Sequence, residues 1–428
     1  MVGEWRTTTL GQVTDFLSGG TPSKEALQYW RGSIPWVSAK DMKRFRLDDT
    51  QDHVTEDGLA NGTKLIPSGT VLLLARGMTL LNDLPICVVN RPMTFNQDVK
   101  ALRPKPGVRD EFLPYLLLGN KDRLLNLVDL AGHGTGRLNS DELKAFDVVL
   151  PPEAEQRAIA HILGTLDDKI ELNRRMNESL EAMAQVLFKS WFVDFDPVRA
   201  KVEGRDHGLS KPFADLFPDS FEDSDLGEIP KGWPVGSFGE VISQRTERIG
   251  GREAVVLSAV AVGELVKSDE HFTKRVYSKE INKYIAVERW DFAYNPSRIN
   301  IGSIGMLKEP LIGAVSPVYV VFRPKPAYRW FIEFTLERES TKQWINTLAS
   351  GSVRQSLSYS DFQSISCVVP PKEVIEQFNH SWRVLRDGIL VRSAESSTLT
   401  ALRDALLPRL ISGELRIEDA ERMLGGSS

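Results

Sequence analysis

Two cysteines, Cys87 and Cys367, are all that 428 residues contain. They stand far apart in apolar, strand-like runs, with no CxxC spacing, so neither a disulfide framework nor a zinc site is expected. Two reduced thiols in a cytoplasmic protein is the expected state. The six histidines, His53, His133, His161, His207, His271 and His380, show no metal-ligand spacing. Long hydrophobic runs are missing too, since no apolar stretch approaches the roughly 18 residues of a membrane span. The start, Met1-Val2-Gly3-Glu4-Trp5-Arg6, has no apolar h-region, so no signal peptide is expected. An excess of positive charge is absent as well: the formal net charge is −5. That excludes a chain coated in basic residues but not a local basic face toward phosphate.

Catalytic constellations are equally scarce. No GxxxxGK[ST] run exists, so a P-loop is excluded. The strongest enzyme-like string, Val128-Asp129-Leu130-Ala131-Gly132-His133-Gly134-Thr135-Gly136, has the glycines of a nucleotide-cradling loop. The next residues, Arg137-Leu138-Asn139-Ser140-Asp141, open no clear amphipathic helix, and the fingerprint demands one. A turn is therefore expected there. Tyr294-Asn295-Pro296-Ser297 lacks the second proline and the aromatic of an amino-methyltransferase motif. Pro218-Asp219, Glu228 and Lys231 imitate a nuclease site but lie in a Pro/Gly/Asp/Ser-rich segment without a β-core to fix a metal.

What is present is a repeat. Arg103-Pro104-Lys105-Pro106 recurs as Arg323-Pro324-Lys325-Pro326, and Val148-Val149-Leu150-Pro151-Pro152 is echoed by Cys367-Val368-Val369-Pro370-Pro371. Both Pro-Pro pairs lead into a Glu-Gln step, Glu155-Gln156 and Glu376-Gln377. Trp5 with Leu10-Gly11-Gln12-Val13 resembles Trp233 with Phe238-Gly239-Glu240-Val241. Short apolar or β-branched runs at 72–74, 86–89, 255–257, 312–315 and 318–322 read as strands, and 111–118 and 330–339 read as helices.

After each Pro-Pro pair a long helix is expected. The first shows Ile159, Leu163, Leu166, Ile170, then Met176, Leu180, Met183, Leu187 and Trp191, the alternating spacing of a coiled-coil seam. Asn173 stands in that seam, where a buried polar residue fixes register. The second shows Phe378, Trp382, Leu385, Ile389, Leu399, Leu402, Leu406 and Leu410, with Pro408 expected to kink or end it. A 40-residue helix is about 60 Å long. The expected architecture is α+β: two mixed α/β domains separated by two long antiparallel coiled-coil helices, in a pseudo-two-fold internal repeat. The expected segments are a globular domain at 1–152, a helix at 153–196, a surface linker with little regular structure at 197–232, a second domain at 233–371 and a helix at 372–424.

Several motifs together resemble one family. Gly19-Gly20-Thr21-Pro22-Ser23, Tyr29-Trp30, Ile34-Pro35-Trp36-Val37 and Asp41 look like the opening of a target-recognition domain in the specificity subunits of type I restriction–modification systems. Pro151-Pro152 through Leu166-Asp167 and Ser190-Trp191-Phe192-Val193-Asp194-Phe195 resemble its central region, and Leu406-Leu407-Pro408-Arg409-Leu410-Ile411-Ser412-Gly413-Glu414-Leu415 its distal region. Tyr294-Asn295-Pro296, Gly302-Ser303-Ile304-Gly305 and Val315-Ser316-Pro317-Val318-Tyr319 look like a second kind of recognition domain.

The resemblance implies a non-catalytic subunit that reads a split target on double-stranded DNA. Its partners would be two modification subunits, forming an N6-adenine methyltransferase, and restriction subunits with ATP-driven translocase and nuclease activity. It implies no cofactor on this chain: S-adenosylmethionine, ATP and Mg2+ would belong to the partners. No membrane is implied. The competing readings are a self-sufficient S-adenosylmethionine-dependent DNA methyltransferase using 132–136, and a solitary DNA-binding regulator.

Base edges and phosphates are read by Arg, Lys, Asn, Gln, Ser and Thr. Loop positions of these types give Thr21, Ser23, Lys24, Ser38, Lys40, Arg76 and Arg137 as DNA-binding candidates in the first domain. In the second they give Asn295, Ser297, Arg298, Asn300, Arg354 and Gln355, with Arg137 and Arg354 in equivalent Gly-rich loops. Ile159, Leu163, Leu166, Ile170, Leu180, Leu187, Leu385, Ile389, Leu402 and Leu406 are the candidates for subunit binding along the helices.

Overall fold

The computed structural model describes residues 4–131, 134–206, 208–261, 263–272, 274–349 and 356–425. They form two compact units, Met1–Arg175 with Val391–Ser428, and Met176–Leu390. The runs with little but Val, Leu, Ile and Ala become buried strands. Val71-Leu72-Leu73-Leu74, apolar on both faces, is wholly buried and therefore central.

Unit 1 contains β1 (Arg6–Thr9), β2 (Thr14–Ser18), β3 (Trp30–Val37), β4 (Arg46–Leu47), β5 (Asp52–Val54), β6 (Val71–Leu74), β7 (Arg76–Gly77), β8 (Ile86–Val89), β9 (Thr94–Phe95), β10 (Val99–Pro104), β11 (Val128–Ala131), β12 (Thr135–Leu138) and β13 (Asp147–Leu150). The main sheet has the order β2-β10-β6-β8-β4, and smaller sheets are β5-β3-β9, β11-β12-β7 and β1-β13. The glycine string 132–136 therefore spans the link between two antiparallel strands, not a strand-to-helix step. Gly132 and His133 lie outside the described residues.

Unit 2 contains β14 (Phe221–Ser224), β15 (Gly227–Pro230), β16 (Val235–Ser237), β17 (Ile242–Arg245), β18 (Val255–Val260), β19 (Glu264–Lys267), β20 (Ile285–Val287), β21 (Phe292–Tyr294), β22 (Ile304–Met306), β23 (Gly313–Val315), β24 (Val320–Pro324) and β25 (Ser366–Val368). Its sheet order β17-β24-β21-β22 reproduces β2-β10-β6-β8, and β16-β25 reproduces β1-β13. The repeat extends to register. Arg103 pairs with Asp15 and Pro104 with Thr14, while Arg323 pairs with Ser243 and Pro324 with Ile242. The Lys105 amide donates to the Val13 carbonyl at 2.9 Å, and the Lys325 amide to that of Val241 at 2.7 Å. The Arg-Pro-Lys-Pro string recurs because each copy ends the same strand against the same turn.

The long helices are Glu153–Phe192 and Lys372–Ser412. Each contributes one end to each unit. In unit 1, Asp167 meets Arg403 and Asn173 meets Glu395; in unit 2, Asn177 meets Ile389. Falling numbers opposite rising ones mean antiparallel packing, as expected. The seam differs in phase over its second half. Met176 is 38% and Met183 57% exposed, and the inward positions are Asn173, Ala184, Phe188 and Trp191. Phe331, Phe334 and Phe378 pack on the Phe188–Phe192 end of the first helix: Phe188 lies 5.2 Å from Phe334 and Phe192 5.4 Å from Phe378.

Three further expectations are corrected. The second helix runs through Pro408 to Ser412 without ending, held by buried Leu406, Leu407, Leu410 and Ile411 on either side. The segment 197–232 is not sparse in regular structure. It holds helices Asp196–Val202 and Lys211–Ala214 and the β14–β15 hairpin, anchored by Phe217 on Trp191 at 5.4 Å and on Trp233 at 6.1 Å. The two Glu-Gln steps are also not equivalent. Gln156, 1% exposed, accepts from the Arg109 amide and donates to the Gly107 and Pro151 carbonyls. At the same distance from the second Pro-Pro pair stands Ile375, fully buried, while Gln377 is only half-buried.

Candidate functional site

Of the DNA-binding candidates of unit 1, Thr21 and Arg76, with Arg137 paired to Arg76, are tied to one short turn. Asn96 is buried, its side-chain oxygen accepts from the Asp98 amide at 3.1 Å, and its own amide donates to the Val37 carbonyl at 2.9 Å. The Asp98 carbonyl in turn accepts from the amides of Ala75 and Arg76 at 2.8 and 3.1 Å. Thr21 reaches the same turn from the other side, its hydroxyl donating to Gln97 Oε1 at 2.6 Å. Gly19 and Gly20 are required for that approach: a Cβ would stand 2.1 Å from the Phe95 carbonyl oxygen at Gly19 and 2.2 Å from that of Gly62 at Gly20. Trp36 completes the support by donating from Nε1 to the Gly20 carbonyl at 3.0 Å.

Arg76 and Arg137, far apart in sequence, are directly paired residues of β7 and β12. Both are exposed. Among the described residues neither guanidinium has an ion-pair partner. Like charges directly opposite on neighbouring strands are destabilising. An anion placed across both guanidiniums removes that cost, which suits a phosphate. Ser38 and Lys40 are occupied otherwise. The Ser38 hydroxyl donates to Asp41 at 2.8 Å, and Lys40 pairs with Asp52 at 2.7 Å. Ser23 and Lys24 are exposed, and the Ser23 carbonyl accepts from Trp30 Nε1 at 3.0 Å. Gln97 was not among the sequence candidates. Its hydrogen bond to Thr21 spans 76 residues, and its only local signal is the polar Asn96-Gln97-Asp98 step after a strand.

In unit 2 the candidates occupy one loop, between β21 and β22. Asn295 Oδ1 accepts from the Ser297 amide at 3.1 Å, forming a turn that leaves Ser297, Arg298 and Asn300 exposed. Ser303, 2% exposed, anchors the loop by donating to the Ala259 carbonyl at 2.6 Å. Arg354 and Gln355 lie outside the described residues.

This loop matches the Arg76 segment of unit 1. Both connect the third and fourth strands of the shared sheet, and both carry a short 3-10 turn, Met78–Leu81 and Ile299–Ile301. The Leu138 amide donates to the Ala75 carbonyl at 2.9 Å, and the Leu357 amide to that of Pro296 at 3.1 Å.

The helix candidates divide by burial. Ile159, Leu163, Leu166 and Leu406 lie inside the core of unit 1, while Leu402 packs against it half-buried. Leu187, Leu385 and Ile389 pack half-buried against the core of unit 2. Ile170 and Leu180 are half-buried too. The large apolar side chains that the helices expose are others: Leu172, Met176, Met183, Val186, Val384, Leu390 and Val391. Among the described residues no group of His, Cys, Asp and Glu is arranged to hold a metal ion, and no helix is long and apolar enough to cross a membrane. Burial pushes the thiols of Cys87 and Cys367 up to about 12, away from nucleophilic chemistry.

Comparison with known proteins agrees with this picture. Residues 3–182 match the family model described as the type I restriction modification DNA specificity domain. The chain is 27% identical over 435 residues to the type I restriction enzyme MjaIX specificity subunit of Methanocaldococcus jannaschii, covering 97% of this chain and 94% of that protein. It is 34% identical over 166 residues to the EcoR124I/EcoR124II specificity subunit of Escherichia coli, covering 38% and 41%. In fold it is similar to the S subunit of a type I system from M. genitalium, with a TM-score of 0.53, 15% identity and 96% of both chains covered.

Proposed function

From the premise that this chain belongs to the type I restriction–modification specificity subunits, we propose that each of its units reads one half of an asymmetric, bipartite target on double-stranded DNA. The observation that carries this reading is the placement of polar candidates on the same connection of a repeated sheet, β6 to β8 in unit 1 and β21 to β22 in unit 2. The scaffold is repeated while the residues on that connection differ: Arg76, paired with Arg137, in one, and Asn295 to Asn300 in the other. Different residues on equivalent loops select different half-sites, unlike the identical half-sites of a symmetric dimer.

The long helices are the docking surface for two modification subunits, and through them for restriction subunits. Exposed Met183, Val186 and Val384 offer apolar contact without disturbing a core. The chain itself is non-catalytic and carries no cofactor; S-adenosylmethionine, ATP and Mg2+ act on the partners. The alternative of a self-sufficient methyltransferase finds no support in a glycine string that joins two antiparallel strands.

Co-purification with tagged modification subunit from the native host tests the docking. Met183→Asp with Val384→Asp should abolish recovery of the partner while leaving thermal unfolding of the chain unchanged, because both positions are more than half exposed. Undiminished recovery would refute the helix surface. Exchange of residues 1–152 for another recognition domain should rewrite one half of the methylated target only; a change in both halves would refute the modular reading.

A further inference from the structure

The cluster in unit 1 contains one side chain built differently from the rest. Gln97 is exposed, yet its backbone and its amide are both held. The turn beneath it is fixed at Asn96 by Val37 and at Asp98 by Ala75 and Arg76. Its amide is fixed by the Thr21 hydroxyl, which donates to Oε1 at 2.6 Å. Ser38 and Lys40 are spent on Asp41 and Asp52. Arg76 and Arg137, beside the turn, are suited to phosphate rather than to a base.

We propose that Gln97 reads an adenine in the major groove for unit 1, and that Thr21 is its positioning residue. This rests on the proposed reading of a bipartite DNA target by the two units. A side-chain carbonyl oxygen has two lone pairs, and the amide nitrogen has two hydrogens. Thr21 takes one lone pair. One lone pair and both N–H groups remain, side by side on the outer edge. Adenine offers the complementary pair in the major groove, an N7 acceptor beside an N6 amine donor. Guanine offers two acceptors, N7 and O6, which would set Oε1 against O6. The hydrogen bond from Thr21 holds the end of the side chain at one place above the turn. A side chain already held also loses less freedom when it binds.

Arg76 and Arg137 complete the arrangement by gripping the backbone next to the base being read. The three kinds of contact then have separate signatures. The arginines affect every sequence alike, Gln97 affects one base pair, and Thr21 affects that same base pair through Gln97.

The test replaces the chromosomal gene in the native host by Gln97→Ala, Gln97→Glu or Thr21→Val. The methylated adenines of the genome are then mapped by single-molecule sequencing. The wild type should give one bipartite motif. Gln97→Ala should relax a single A·T position in one half-site, with discrimination there falling about 10–100-fold. Gln97→Glu, of the same shape but without the donors, should relax the same position. Thr21→Val should do so more weakly and leave every other position intact. Gln97→Ala with an unchanged motif overturns the proposal. So does uniform loss at all positions, or relaxation at a position that is not adenine. A wild type with no bipartite motif at all instead overturns the function on which the proposal rests.

Discussion

Removing the guanidinium of Arg403 should undock the C-terminal segment from unit 1 without unfolding either sheet. Unit 1 is completed by residues that arrive late in the chain, 391–428. Their apolar grip comes from Leu406, Leu410 and Ile411, the last closing so tightly on Gly119 that a Cβ there would lie 2.7 Å from it. Their polar grip is a triad. Arg403 Nη1 lies 2.7 Å from Asp167 Oδ1, and Tyr115 donates to Asp167 Oδ2 at 2.9 Å. The Asp167 side chain is 4% exposed and that of Arg403 21%. Breaking a buried pair by removing one partner costs about 3–5 kcal/mol. Arg403 keeps some water contact and Tyr115 remains as a donor, so the lower figure applies. About 3 kcal/mol corresponds to roughly a hundredfold shift in the docking equilibrium.

Hydrogen exchange resolved by mass spectrometry reads this directly. In Arg403→Met the amides of 399–412 should exchange about a hundredfold faster, while those of 285–345 in unit 2 should not change. The triple variant Tyr115→Phe, Asp167→Leu and Arg403→Met leaves no buried polar atom unpaired, and should recover the wild-type rate to within a factor of about ten, since apolar replacement of a buried triad is often neutral. Unchanged exchange in the single variant, or a triple variant no slower than the single one, would refute the reasoning.

Asn173 is fully buried and its Oδ1 has no partner, while its Nδ2 donates to Glu395 at 2.7 Å. Asn173→Leu should therefore raise the denaturation midpoint of unit 1 by an amount worth about 1 kcal/mol, and a lowered midpoint would contradict this account. Hydrogen bonding from Arg174, then from Arg175, holds the Glu171 carboxyl down at about 2 against burial. A depressed carboxylate contributes stability that is fully present above its ordinary value of 4.5 and disappears as pH falls toward 2. Glu171→Gln should accordingly flatten the acid limb of unit 1 unfolding in that window, and an unchanged limb would contradict it.

What the sequence revealed depended on whether the cause was local. The Arg-Pro-Lys-Pro echo was visible because each copy ends a strand against a turn in the same way. The long helices were visible because their first turns follow Pro151-Pro152 and Pro370-Pro371. The seam lost phase where spacing alone admits two registers. Counting hydrophobic residues chose Met176 and Met183, whereas the interior takes Ala184 and Phe188, with Phe331 and Phe334 brought from another part of the chain. The segment 197–232 looked like linker because its polar residues outnumber its anchors, yet Phe195, Phe217 and Trp233 bury themselves together. In the candidate site, Arg76 and Arg137 were legible as loop arginines but not as a pair. Gln97 was not legible, because its importance comes from a threonine 76 residues away.

Within each unit, the candidate residues and the residues that hold a helix are separate sets. In unit 1, β10 begins after the Asn96–Asp98 turn and ends before the Lys105–Arg109 stretch, which Gln156 of the first helix holds by Gly107 and Arg109. In unit 2, Asn295 to Ser303 follow β21, tied to Ala259 and Leu357. The second helix is held elsewhere: Asn379 donates to the Ala327 carbonyl, Tyr328 donates to that of Pro370, and Trp382 packs on Trp330 and Phe334. No residue assigned to reading therefore belongs to the set that fixes a helix. A loop that carries the candidates can change without altering the residues that hold the helices. Divergent loops on a repeated frame are what this separation permits.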